Sequence, residues 1–360
     1  MKALAAFACL FLTLATSALA QAGNEQALQV AKASAEASIA LKTLTQSAQA
    51  IRDPALRQAA LAALDDTACI HHRAGLTPRD KTRIIDHLVS AGWLSAPRDP
   101  ADRLRLADGV FPPLLANDGA CPTRPQPFLS APGGNMGSHH DWPGGLALHE
   151  AFNLRQSHDL VQAWHDESGL ILDQDLLTSA VIWHDWGKAL VFQWREDGSE
   201  QTEIQVAGTG AHHVLALAEA ISRGLPPKLI QTMACAHAAP LDGDQKKVAA
   251  WLEAAAIIAQ KDAQTALYTQ APWPPECFVH TLSDQNWIVS EPAAQSSDAA
   301  LAQVAHRFGL VAGTADYNWR LRLPALAQIG PMRLWQASQT GGDTATEKLI
   351  TDAGLPLKGR

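Results

Sequence analysis

Apolar residues recur every third or fourth position through most of this chain, the spacing of one face of a helix. Residues 24–65, rich in Ala, Leu, Gln, Lys and Glu, predict two or more helices with a break at Asp53-Pro54. Thr77 followed by Pro78 reads as an N-cap and first helical residue. The helix they open carries Ile84, Ile85, Leu88 and Val89 and closes near Gly92-Trp93. Residues 95–138 lose the period and are crowded with proline and glycine, which predicts a long irregular connection.

The helical period returns after Gly144-Gly145. One helix is expected from there to about His165, and a second from about Asp173 to Trp186 with Leu177, Ala180, Val181 and His184 on one face. The stretch 189–207 changes to strand-like alternation around Asp197-Gly198, which predicts a β-hairpin. Thr209 is placed to cap a third helix running to Arg223, and Pro226-Pro227 opens a fourth with Ile230, Met233, Ala234 and His237 on one stripe. A fifth is expected from about Asp244 to Leu267, with Val248, Trp251, Ala255, Ile258 and Asp262 inward. Residues 271–300 read as proline-rich and irregular, and the remainder as weakly helical. The fold class is therefore all-α with a short hairpin insertion. The expected units are residues 1–20, a helical region 21–94, a connection 95–137, a central helical domain 138–270 and a C-terminal region 271–360.

The first unit has its own reading. Lys2, an apolar run to about Thr16 and the small-x-small triplet Ala18-Leu19-Ala20 have the layout of a secretory signal peptide. Cleavage before Gln21 would leave an exported protein, periplasmic or secreted. Cys9 sits within the apolar run, not after it, which argues against a lipid anchor. No later stretch reaches the ~18 consecutive apolar residues of a membrane span. Without residues 1–20 the chain has 27 basic and 36 acidic residues, a formal charge of −9. That balance disfavours a nucleic-acid duplex or an anionic membrane as partner. A small anionic substrate stays compatible, because a bound cation reverses the local field. Cys69, Cys121, Cys235 and Cys277 allow two disulfides in three connectivities. Cys69–Cys121 with Cys235–Cys277 is favoured because each pair stays within one region, although Cys235 fits a small buried thiol equally well.

Histidine distribution then changes the picture. Nine of the fourteen histidines fall between positions 139 and 237. His149 follows the glycine pair, His184-Asp185 closes an apolar helix, and His237 and Asp262 lie on inward stripes. Buried carboxylates need a cation or strong hydrogen bonds. Inward imidazoles and carboxylates from several helices point to a metal centre. His71 and His72 lack partners at metal spacing and are read as surface residues.

In order, His149, His184-Asp185, one of His212 and His213, His237 and Asp262 resemble the HD superfamily of metal-dependent phosphohydrolases. G-G-L-A-L-H-E is similar to the family's first-histidine segment, A-V-I-W-H-D-W-G-K to its H-D-x-G-K signature, and I-I-A-Q-K-D-A-Q-T-A to its closing aspartate helix. The likeness covers residues 138–268, just over a third of the chain. It implies an HD-type helical bundle holding two divalent ions, from among Mn, Fe, Zn, Ni and Mg. Asp185 would bridge them, with His149, His184 and Asp262 on the first and His212 and His237 on the second. His212 is preferred over His213 because Ala216 follows at a helical turn. The resemblance implies hydrolysis of a small phosphoester by a metal-activated water, with Asp185 and Lys188 as catalytic residues. Lys188 serves equally as an ordinary cation at a helix C-terminus.

Substrate contacts are expected from His140, Trp142, Lys188, Trp194 and His213, with Trp142 and Trp194 as an aromatic wall and Trp164 and Trp183 as core. His139 and His140 either add a ligand, position substrate or form an exposed loop cluster. The segment His237-Ala238-Ala239-Pro240-Leu241-Asp242-Gly243 lacks the second histidine and glutamate of the subgroup that cleaves cyclic dinucleotides, which counts against that activity. The same ligand order also serves HD-type di-iron oxygenases, and export weighs against that alternative. A non-catalytic metal- or ligand-binding protein is a third possibility; alanine at a ligand position would favour it, and all are intact. The pattern carries no signal for oligomeric state.

Overall fold

Several helix starts coincide with residues whose side chains accept free backbone N–H groups. The computed structural model describes residues 22–115, 118–355 and 357. The signal-peptide expectation for residues 1–20 falls outside them. Helix α1 covers 22–33. α2 (Ala35–Ala50) is capped by the Ser34 hydroxyl, which accepts from the Ala37 N–H. α3 (Pro54–Leu64) begins at the expected break, with Asp53 accepting from the Ala55 and Leu56 amides. α4 (Pro78–Ser90) has a complete capping box between Thr77 and Asp80 and buries Ile84, Ile85 and Leu88. α5 (Pro100–Val110) falls inside the stretch expected to be irregular: Asp99 caps it by accepting from the Asp102 N–H, and Pro100 sits at its first position, where proline is tolerated. Beyond it the described residues are irregular up to Gly144 apart from one short turn at Phe128–Ser130.

The elements that matter for function follow. They are α6 (Gly145–Ser168), α7 (Gln174–His184), α8 (Lys188–Val191), α9 (Ala211–Ser222), α10 (Pro227–Ala234), α11 (Gln245–Ile258), α12 (Ala266–Thr269) and α13 (Glu276–Asp284). The chain closes with α14 (Trp287–Val304), α15 (Ala315–Tyr317), a π-turn at Asn318–Arg322, α16 (Leu323–Gln328) and α17 (Pro331–Asp352). The molecule is mostly helical, with a single two-stranded sheet among the described residues. No described helix is long and apolar enough to cross a membrane.

α6 lies between α2 and α13, α7 packs on α3 and α10, and α9 packs on α11. Their buried faces form one large core that includes Leu146, Leu154, Ala180, Trp183, Leu215, Ile230 and Trp251. A second core gathers the C-terminal helices around Trp142, Trp194, Trp319 and Leu326. Disulfides join Cys69 to Cys121 and Cys235 to Cys277, the favoured pairing.

Three further local expectations are corrected. The fifth helix, α11, stops at Ile258 instead of Leu267. Gln260 takes a left-handed φ of +55°, and the Lys261 N–H donates to Ala256 O. That is a Schellman stop built on glutamine, so no glycine marks it in the sequence. Second, residues 271–300 are not irregular. They hold α13 and most of α14, which continues through Pro292 because its Ala293, Ala294, Ser297 and Leu301 face packs on α17. Third, the hairpin shrinks. Arg195 and Ser199 pair around Asp197-Gly198 with one bridge, Trp194–Glu200, while strands β1 (Gln205–Val206) and β2 (Thr209–Gly210) pair with each other. Thr209 therefore lies in a strand, and α9 starts without a side-chain cap.

Candidate metal centre

Five chain segments converge on one buried point. α6 carries His149 in its second turn. α7 ends on His184, with Asp185 as its C-cap. His212 lies in the first turn of α9, His237 just beyond α10, and Asp284 at the end of α13. The glycine of the H-D-W-G-K segment has a steric role: a Cβ on Gly187 would overlap the His212 carbonyl oxygen. Only glycine lets the chain after Asp185 pass this close to α9.

The donor atoms face one another. His149 Nε2 lies 3.0 Å from Asp284 Oδ1 and 3.1 Å from Asp185 Oδ2. His184 Nε2 lies 3.3 Å from the same Asp185 oxygen and 3.4 Å from Asp284 Oδ1. The other Asp185 oxygen, Oδ1, faces His212 Nε2 at 3.4 Å and His237 Nε2 at 3.6 Å. Donors bound at about 2.0–2.2 Å to one tetrahedral ion stand roughly 3.3–3.6 Å apart, and closer in an octahedron. The measured separations match such edges. Asp185 Oδ1, His184 Nε2 and His212 Nε2 are buried and without hydrogen-bond partners among the described residues. Buried lone pairs left this way are costly unless something binds them. These His/Asp groups can hold a metal ion.

A surrounding layer of hydrogen bonds aims the donors. The Glu203 carboxylate sits 2.7 Å from His212 Nδ1 and accepts the His212 backbone N–H at 3.1 Å, which turns Nε2 toward Asp185. His184 Nδ1 lies 2.9 Å from Val181 O, so its Nε2 also faces the centre. Asn153 donates to Asp284 Oδ1 at 2.9 Å and is itself held by Asn286. Lys188 is buried, forms an ion pair with Asp185 Oδ2 and donates a hydrogen bond to Gly133 O. Burial opposes ionisation of Asp185, but His184 and Lys188 outweigh it and hold this carboxyl well below the usual range. Glu150, wholly buried beside His184, goes the other way: burial pushes its carboxyl up to about 8.

Several expected site residues lie elsewhere. Asp262 is exposed in the turn after α11 and does not join the cluster; Asp284 takes the place expected of it. The early stop of α11 is the reason. His213 is fully buried, stacked on His237 at 4.3 Å, and does not line the cavity, so it packs behind a donor without facing substrate. Trp142 and Trp194 are core residues, not a wall of the cavity; Trp194 donates to Ser130 O and packs near Trp319. Trp183 is core as expected, whereas Trp164 is largely exposed. His72 is buried, 2.7 Å from Glu219, not on the surface. His140 lies beside His149, as does His139, with ring centroids 5.3 and 4.9 Å away.

A cavity of about 390 Å³ opens over the cluster. His139, His149, Lys188, His212, His237 and Asp284 line it, with Trp287 and Glu291 of α14 at its edge. Sequence reading missed Asp284, Trp287, Glu203 and Glu150. One signal was present for the first: His280 and Asp284 stand four apart, on one helical face, and both are buried. Comparison with family models, with curated proteins and with solved structures finds no match for this chain.

Proposed function

We propose that this chain is an HD-type metal-dependent phosphohydrolase of an exported protein, acting on a small phosphoester. The observation that carries the reading is the division of Asp185: one oxygen faces His149, His184 and the region of Asp284, the other faces His212 and His237. A carboxylate shared in this way suits two divalent ions. His149, His184, Asp185 and Asp284 would hold one, and Asp185, His212 and His237 the other. When bound, such a pair supplies Lewis-acid polarisation of a phosphoryl oxygen and a water activated at neutral pH.

The chain's own groups do the rest. Lys188 holds Asp185 and the Gly133 carbonyl together, so it acts as a positioning cation more than as a free phosphate ligand. The cavity volume restricts the substrate to a small molecule or the end of a larger one. Trp287, partly exposed at the rim, offers a face for a flat leaving group.

The test is turnover of p-nitrophenyl phosphate and bis-p-nitrophenyl phosphate by protein starting at Gln21, purified without chelators. Wild type is expected to hydrolyse at least one of them, and Asp185→Asn to lose at least 100-fold in rate. A metal-loaded wild type that hydrolyses neither would overturn the hydrolase reading. Bound iron with oxygen consumption would favour the oxygenase instead.

A further inference from the structure

The segment 133–142, which roofs the cavity, is held in one shape by several independent devices. His140 has a left-handed φ of +56°, unusual for a residue with a side chain. Its carbonyl accepts from the Gly133 and Trp142 amides at 2.8 and 3.0 Å. A Cβ on Gly134 would overlap the His139 carbonyl, and one on Gly145 the His140 carbonyl. Next to the histidines, buried Asp141 accepts from the Gly137 N–H at 2.6 Å and from Arg322 Nη2 at 2.5 Å, and Arg322 also binds Asp298. A strained residue persists only where its surroundings over-determine it, and such residues cluster at functional sites.

What the segment presents is a pair of imidazoles. His139 Nδ1 and His140 Nδ1 stand 3.2 Å apart. That is close to the separation of two nitrogens bound at about 2.0–2.1 Å to one tetrahedral ion. His149 offers a third nitrogen, all three donor atoms lying within 4.8 Å of one another, and its Nδ1 has no hydrogen-bond partner among the described residues. We infer that His139, His140 and His149 form a further metal site, adjoining the centre built on Asp185, with His149 releasing its Nδ1 proton to solvent so that it bridges the two as an imidazolate through Nε2 and Nδ1. The donors are all imidazole, so the site selects a late first-row ion such as zinc, nickel or copper over magnesium or calcium. It opens on the cavity through His139, where a substrate oxygen can complete the coordination.

This inference rests on the metal-centre reading above, but the count of bound ions separates the two. Zinc is the probe. Wild type, His139→Ala/His140→Ala and Asp185→Asn proteins are saturated with zinc, desalted and assayed for zinc per chain, with circular dichroism melts to confirm folding. Crystals of zinc-loaded wild type give an anomalous difference map. Three equivalents in wild type, two in the double variant and a peak against His139 and His140 are expected. Equal counts in wild type and double variant, with no such peak, would overturn the third site and leave the Asp185 centre standing. No zinc in wild type would overturn both.

Discussion

At the residue scale, chemistry depends on which lone pairs meet. Asp284 and Asp262 make the sharpest contrast, since one is buried among donors and the other is exposed. Asp284→Asn is expected to weaken metal binding by at least tenfold, while Asp262→Asn leaves it unchanged; isothermal titration with zinc decides between them. Glu203 acts only through His212, to which it is fixed at 2.7 Å. Removing such an outer carboxylate typically lowers metal affinity 10–100-fold. Glu203→Ala should therefore fall in that range and Glu203→Gln lose less, both with unchanged melting behaviour. Most of the centre was legible at this scale. His149 and His184-Asp185 stand beside glycines that mark tight turns, and their order along the chain carried the resemblance. Asp284 was not legible, because an aspartate four residues after a histidine has meaning only once α13 is known to be a helix.

At the element scale, helix ends decide what reaches the centre. The expected fifth helix would have turned Asp262 inward; the glutamine-based stop at Gln260 turns the chain away first. Non-glycine residues rarely accept that conformation, so nothing in the pattern announced it. Residues 271–300 looked irregular because four prolines outweighed their helical period. Three of them precede α13, where proline is tolerated, and packing against α17 sustains α14 through the fourth, Pro292. Gly187 holds the opposite lesson, since its reason lies in a neighbour, the His212 carbonyl. Gly187→Ala is expected to push α9 away, lowering stability by about 1–3 kcal/mol. Metal affinity should fall with it, which a urea titration and a zinc titration of the same sample would show.

A second joint between elements is sensitive to pH. Glu219 of α9 accepts from the His71 and His72 backbone amides and from Arg223, with His72 Nδ1 at 2.7 Å. Burial opposes its ionisation, but hydrogen bonding and charge from His72 and Arg223 outweigh burial and lower the carboxyl to about 2. The folded value lies below the unfolded one, near 4.3. The joint thus contributes in full above that value, and the contribution is lost as pH falls toward about 2. Unfolding free energies at pH 5.5 and 3 should drop more in wild type than in Glu219→Gln. Equal drops would contradict the assignment.

At the scale of the whole molecule, the centre is bound to regions that composition alone leaves apart. The Cys235–Cys277 bridge ties the end of α10, next to His237, to α13, which carries Asp284. Each disulfide closes a long loop, the two cysteines lying 52 and 42 residues apart, and a native bridge of this kind contributes about 2–4 kcal/mol. Cys235→Ala/Cys277→Ala should therefore lose stability of that order and also weaken zinc binding. Cys69→Ala/Cys121→Ala should lose stability alone. The C-terminal helices add a core of their own and, through Arg322 and Asp141, brace the roof of the cavity.

The most direct measurement is zinc per chain in wild type beside Asp185→Asn, both folded and both purified without chelators. Asp185 faces both donor groups, so its loss should abolish binding of the two ions it shares and leave at most the imidazole site filled. An Asp185→Asn protein that keeps the full wild-type complement of zinc would contradict a centre organised on this carboxylate.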